Sequence, residues 1–277
     1  MPKVTLLTRI YNSTQLKIIE AQLRNIIKGL KVEIENVETE DNWVKITFSG
    51  EDERIFLNYL ERNVGLCPID IRNVKKSIPV KGYITNLDKS NDEITVDIGI
   101  HNPKTIFAIL PLQRLQAQLA DGRKLAIKKI IELYGFCENL PITIKVTALE
   151  GNYIEAMLSE TQLRLYREWV KSLLDRLIVI GSTKNEVERV LKRANCQNDI
   201  IGIDPLGPFE NCIICKLGTN ATGIIPKIGK HLPETWLSIF SPRRLIEFFG
   251  DMYTIPTCVL ENLISTNSRS GRMQLKN

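Results

Sequence analysis

Along three successive stretches of this chain the apolar residues switch between the period of two expected for strands and the period of about 3.6 expected for helices. In the first stretch, Val4 to Tyr11 is rich in strand formers, and Asn12 with Gln15 has the spacing of a helix capping box. Leu16, Ile19, Leu23, Ile26, Ile27 and Leu30 then mark one apolar helical face, which Gly29 closes. Val32 and Ile34 alternate with Glu33 and Glu35, Asp41-Asn42 turns the chain, and Val44, Ile46 and Phe48 alternate with Lys45 and Thr47. A second helix carries Ile55, Phe56, Leu57, Tyr59, Leu60 and Val64 and stops at Gly65. Residues 1–75 thus read β-α-β-β-α, with a short strand possible at 68–74; one sheet face would be covered by two helices.

The second stretch, 78–158, opens with Val80, Gly82 and Ile84 facing one way and Lys81, Tyr83 and Thr85 the other. After Ser90-Asn91-Asp92, the run Ile94 to Ile100 alternates strictly, and Asn102-Pro103 signals a turn before a strand at Ile106 to Leu110. Leu112, Leu115 and Leu119 form one helical face and Leu125, Ile127, Ile130, Ile131 and Tyr134 another. Ile142 to Val146 and Tyr153 to Leu158 then flank the turn Glu150-Gly151-Asn152. Three strands, a helical insertion and two strands make the layout of an OB barrel.

The third stretch, 159–264, begins with a linking helix capped by Ser159 and Gln162 and lined by Leu163, Tyr166, Trp169, Val170 and Leu173. A strand at Arg176 to Gly181, a helix capped at Thr183, a strand pair around Gly207-Pro208 and an apolar segment from Ala221 to Leu232 repeat the order of the first module. Trp236, Phe240, Phe248 and Phe249 read as core or interdomain packing. Residues 265–277 are polar and basic, with Arg269, Arg272 and Lys276 and no acid, which predicts a flexible tail. The fold class is therefore α+β: a central five-stranded barrel between two β-α-β-β-α modules.

Composition narrows the function. Over 277 residues, 43% hydrophobic and 25% charged excludes a disordered or collagen-like chain. No apolar run approaches the roughly 20 residues of a membrane span, and the first residues lack the apolar stretch of a signal peptide, so the chain reads as cytoplasmic. The net charge of +5 permits nucleic acid without a polybasic run. Six cysteines offer one CxxC, at Cys212 and Cys215; in a strand these thiols point to opposite faces and read as small buried hydrophobes, not zinc ligands. Two histidines, His101 and His231, supply no recognisable nucleophile–base pair, and Gly218 to Gly223 lacks the Gly-Lys-Ser/Thr of a nucleotide-binding loop. No cofactor, metal or catalytic residue is expected. A backbone-amide nest at Gly218 to Gly223 could hold one RNA phosphate, supported by Lys227 and Lys230. His101 reads as a solvated loop residue within reach of RNA.

Residues 82–111 resemble an S1-type RNA-binding domain. Gly82-Tyr83-Ile84 is similar to that family's opening strand, Val96-Asp97-Ile98-Gly99 to its second, and Ile109-Leu110-Pro111-Leu112 to its third strand and following turn. The resemblance implies RNA bound by surface aromatics and neighbouring cations. It departs from the family at Thr95, where an aromatic is usual, and the third-strand aromatic is not clear, with Phe107 near it. Tyr83 becomes the expected stacking residue, with Lys81 and Lys104 on the same exposed side. Most of the chain also resembles an archaeal family, domain of unknown function 2110, through Val96–Ile100, Leu133–Val146 and Cys215–Gly229; this implies an archaeal source and brings no activity. The leading expectation is non-catalytic binding of ribosomal RNA or a nascent transcript, beside a ribosome or RNA polymerase. The alternative is a protein-interaction adaptor whose barrel no longer binds RNA.

Overall fold

The structure, a computed structural model, describes residues 2–89, 92–102 and 104–250. Ser90, Asn91, Pro103, the last of the six cysteines, Cys258, and the tail at 265–277 lie outside the described residues.

The N-terminal module contains β1 (Lys3–Arg9), α1 (Ser13–Ile26), β2 (Val32–Glu40), β3 (Trp43–Gly50) and α2 (Glu53–Asn63). Its antiparallel sheet has the order β1-β3-β2. The cap forms as the sequence suggests: Asn12 Oδ1 accepts from the Gln15 amide at 3.1 Å, and Gln15 Oε1 accepts from the Tyr11 amide at 2.8 Å. Asp41 (φ 49°) and Asn42 (φ 67°) make the left-handed two-residue turn that suits the twist of a hairpin.

The short β4 (Ile69–Asp70) leads into the barrel strands β5 (Pro79–Thr85), β6 (Glu93–Asn102) and β7 (Ile106–Pro111), helices α3 (Leu112–Leu119) and α4 (Ile127–Tyr134), and strands β8 (Pro141–Glu150) and β9 (Tyr153–Leu158). β5 pairs with β6, β6 with β7, β7 in parallel with β9, β9 with β8, and β8 with β5, so the barrel closes. This strand order, with the helices after the third strand, is that of an OB-like barrel. Ile84, Val96, Ala108, Leu110, Ile142, Ile144, Ile154 and Ala156 belong to its continuous apolar core.

The C-terminal module contains α5 (Glu160–Ser172), β10 (Arg176–Ile180), α6 (Lys184–Arg193), β11 (Ile200–Pro205), β12 (Glu210–Cys215), α7 (Ile225–Gly229), β13 (Trp236–Phe240) and α8 (Pro242–Phe249). Its antiparallel sheet runs β11-β12-β10-β13. The first three strands repeat the order of the N-terminal sheet. The fourth, β13, falls in a segment whose aromatics read only as packing residues. β10 is buried on both faces: Ile178 and Ile180 join the barrel core, and Leu177 and Val179 a second core under α6 and α7. Cys212 and Cys215 divide in the same way between the two cores, on opposite faces of β12.

Gly82 shows why the opening strand needs a glycine. A Cβ there would lie 2.7 Å from both the Asp97 carbonyl oxygen and Val96 Cγ1, and 2.8 Å from Ile98 Cγ2. Gly82→Ala is expected to destabilise the chain by about 1–3 kcal/mol through overpacking. Gly202→Ala on β11, where nothing lies within 4 Å of an added Cβ, should be nearly neutral. Urea denaturation of both variants checks this.

Candidate nucleic-acid interface

The barrel's outer face is where the expected RNA contacts were placed, and the structure divides it in two. Alternation along β5 holds, with Ile84 turned into the barrel core and Tyr83 away from it. Tyr83 is nevertheless 0% exposed. Its ring meets Trp43 edge-on at 5.3 Å, and the Arg9 guanidinium lies 5.6 Å from its centroid. Lys81 is half-buried and donates from Nζ to the Leu206 carbonyl at 2.7 Å. The expectation of a shared exposed side for Lys81, Tyr83 and Lys104 is therefore corrected. Alternation reveals which residues share a face, not what covers it; here β1 and β3 of the first module and the β11–β12 turn of the third cover the β5 side.

This closure centres on Asp97, the cross-strand partner of Tyr83. Asp97 is 3% exposed. Its Oδ2 accepts from Trp43 Nε1 at 3.0 Å and lies 3.6 Å from Arg9 Nη2. Its Oδ1 accepts from the Gly99 amide at 2.9 Å. Gly99 takes φ +78° beside an irregularity in the β6–β7 ladder, and an added Cβ would lie 2.5 Å from Cys67 Sγ. The Val-Asp-Ile-Gly motif is thus a junction device: Asp97 holds Arg9 and Trp43, while Gly99 makes room for Cys67 in the segment leading out of the first module. Removing one member of a buried ion pair strands the other, at about 3–5 kcal/mol. Asp97→Ala is expected to cost that much in chemical denaturation, with Asp97→Asn losing somewhat less, because its single amide oxygen keeps an acceptor for Trp43 or for Gly99 but not for both.

The third module locks in from the other side. Phe209, 1% exposed, inserts into the N-terminal core beside Leu6, Ile19 and Leu23. Next to it, the fully buried Glu210 accepts from the Tyr11 hydroxyl at 2.6 Å, and Gln15 Nε2 donates to the Gly181 carbonyl at 2.8 Å. Burial pushes the Glu210 carboxyl up to about 7 against the pull of Tyr11 and Lys81. The unfolded chain releases this proton near pH 4.5 and the folded chain near 7, so the folded state loses stability as pH rises through that window, by about 3 kcal/mol in all. Subtracting the stability of Glu210→Gln from that of the native chain, pH by pH from 4.5 to 8, should reveal this slope; a flat difference would show that Glu210 ionises normally.

The remaining expected contacts separate. Thr95 points outward but spends its hydroxyl on the Thr85 carbonyl at 2.5 Å. His101 is not a solvated loop residue: it lies in β6 with a 10% exposed side chain, 6.4 Å from the Trp43 ring and 3.6 Å from Asp41. Four of the amides at Gly218 to Gly223 are already taken by protein acceptors. The Thr219 amide donates to Lys216, Ala221 to the Asp175 carboxylate at 3.1 Å, Thr222 to Asn220 Oδ1 at 2.8 Å and Gly223 to the Asn220 carbonyl. The Asp175 carboxylate at that turn also opposes a phosphate, which counts against the expected phosphate site beside the exposed Lys227 and Lys230. Lys104 remains exposed where the chain enters β7. Phe107 is half-buried on the outer side of β7, opposite Asp97, while Ile106, Ala108 and Leu110 point inward. The same period-two pattern would have placed Phe107 outward from the sequence.

Burial also pushes the Cys212 and Cys215 thiols up to about 12, which keeps them protonated at neutral pH. Among the described residues, no three His, Cys, Asp or Glu side chains gather as a metal site, and no helix is long and apolar enough to cross a membrane.

Comparison with known families matches the chain to three models: the DUF2110 N-terminal domain at residues 3–67, the DUF2110 central domain at 74–170, and the DUF2110 C-terminal domain at 174–240. The central match runs through most of α5, assigned from the sequence to the third module. No curated protein matches the chain. Three models covering most of its length establish that the chain belongs to the DUF2110 family, defined by a domain of unknown function.

Proposed function

We propose that this is a non-catalytic RNA-binding protein of an archaeal ribosomal or transcription complex, which takes a single-stranded segment on the open half of its barrel. The archaeal setting rests on the sequence resemblance, and the cytoplasmic one on the hydropathy of the sequence. The observation that carries the RNA reading is the position of Phe107. It stands on the outer side of the third barrel strand, with Thr95 and Ile109 paired on the same sheet face and exposed Lys104 at the strand's entry. OB barrels commonly bind oligonucleotides on the face of their second and third strands. An aromatic there offers a stacking surface that any base can use, and a nearby lysine offers charge for phosphate. The likeness to S1 domains supports the same reading.

A second reading, a protein-interaction adaptor, is favoured by the closed half of the face, where the barrel already binds protein through Tyr83, Asp97 and Lys81.

Fluorescence anisotropy with a labelled mixed-sequence RNA of about ten nucleotides, within the roughly 4–16 that an OB barrel covers, separates the two. Phe107→Ala should weaken binding by about 1–3 kcal/mol for a stacked base. Lys104→Ala should weaken binding and flatten the salt dependence by about 0.7 in slope. No binding by the native chain, or binding indifferent to both substitutions, would remove the barrel as an RNA face and leave the adaptor reading.

A further inference from the structure

The basic pairs Lys128-Lys129 and Arg243-Arg244 are far apart in sequence, yet the fold brings their helices together by packing α8 against α4 and α5. Lys129 Nζ lies 5.1 Å from the ring centroid of Phe248, which is 41% exposed. The Arg123 guanidinium lies 5.7 Å from the Phe249 ring, and its Nη1 donates to the Phe249 carbonyl at 3.3 Å. Arg244 Nη2 reaches Thr222 Oγ1 at 3.5 Å, so the edge continues toward α7, where Lys227 and Lys230 are exposed.

Charge concentrates here. Residues 121–132 and 242–249 hold six cations and three acids, a surplus of three within a chain whose net charge is +5. Two of the acids are engaged locally, Glu132 with Lys129 at 3.0 Å and Glu247 with Arg243 at 3.5 Å. Lys124 and Lys128 are exposed and, among the described residues, have no acidic partner. Solvation alone accounts for lysines on a helix. Beside them the Phe248 ring, partly exposed under the Lys129 ammonium, adds an aromatic surface to that charge. Cations flanking an exposed aromatic suit a nucleic-acid strand, with phosphates on the charges and a base on the ring.

We infer that the α4–α8 edge is a second RNA contact, at which Lys124 and Lys128 hold phosphates and Phe248 stacks a base of a strand longer than the barrel covers. This rests on the RNA reading above and adds a surface to it.

The test uses the full chain and two labelled mixed-sequence RNAs, one of about ten nucleotides and one of about 25, the longer exceeding the roughly 4–16 that one barrel spans. The double variant Lys124→Glu with Lys128→Glu should bind the longer RNA at least about tenfold more weakly, with a salt slope flatter by about one or more. Phe248→Ala should weaken the longer RNA roughly five- to hundredfold without altering the slope. Both variants should bind the shorter RNA as the native chain does, and circular dichroism should show native folding. Unchanged binding of the longer RNA, with Phe107→Ala still impaired, overturns the second contact and leaves the barrel reading standing. Equal weakening of both RNAs also overturns it, because the edge then acts only through its general field. If the native chain binds neither RNA, both proposals fail together.

Discussion

One buried carboxylate, that of Asp97, ties the first module to the barrel. It lies on the outer side of a barrel strand and receives the Trp43 indole and the Arg9 guanidinium from the first module. Arg9 is also held between the rings of Trp43 and Tyr83, at 5.3 and 5.6 Å. A delocalised, weakly hydrated guanidinium suits such a place better than an ammonium would. The pair adds little net stability over an apolar equivalent, because both charges lose their water. What it supplies is a defined seat: this docking of the first module gives the buried Asp97 both a hydrogen-bond donor, Trp43, and a positive neighbour, Arg9. The third module then closes over the same seam, with Phe209 in the apolar core and Glu210 on Tyr11.

That constraint divides the barrel's outer surface by use. The β5 side is taken up by contacts within the chain, so Lys81 and Tyr83 serve as structural partners of the other modules. The β6–β7 side keeps Phe107 and Lys104 in reach of solvent. The barrel is therefore both hub and candidate binding face, and the two roles fall on different strands. A charged and aromatic edge between the helical insertion and α8 lies outside the seam.

Much of the fold was legible because local rules were obeyed. The three capping boxes at Asn12, Ser159 and Thr183 form as spaced, each side chain accepting from the amide three residues on. Strict alternation from Ile94 to Ile100 marks β6, and helical spacing marks α3 and α4. The site was less legible, because it is made by contacts between modules. Nothing near Tyr83 in the sequence says that Trp43 and Arg9 will cover it; both come from a strand region some forty or more positions away. His101 was misread for the same reason, since its burial comes from Trp43 and the Asp41 turn. The carboxylate that occupies the Ala221 amide in the Gly218 to Gly223 turn is Asp175, distant in sequence. Strand β13 escaped because Trp236 to Phe240 is short and apolar, without the alternation that separates a strand from a packed loop.

The central claim is that Tyr83 is sealed in the module seam while Phe107 faces any bound strand. Ultraviolet cross-linking of the full chain to bound RNA, followed by mass spectrometry of the cross-linked peptides, tests it most directly. Nucleotide adducts should fall on the β7 peptide containing Phe107 and not on the β5 peptide containing Tyr83. Adducts on Tyr83, with Phe107 unmodified, would contradict the account, because they would require the seam around Asp97 to be open when RNA is bound.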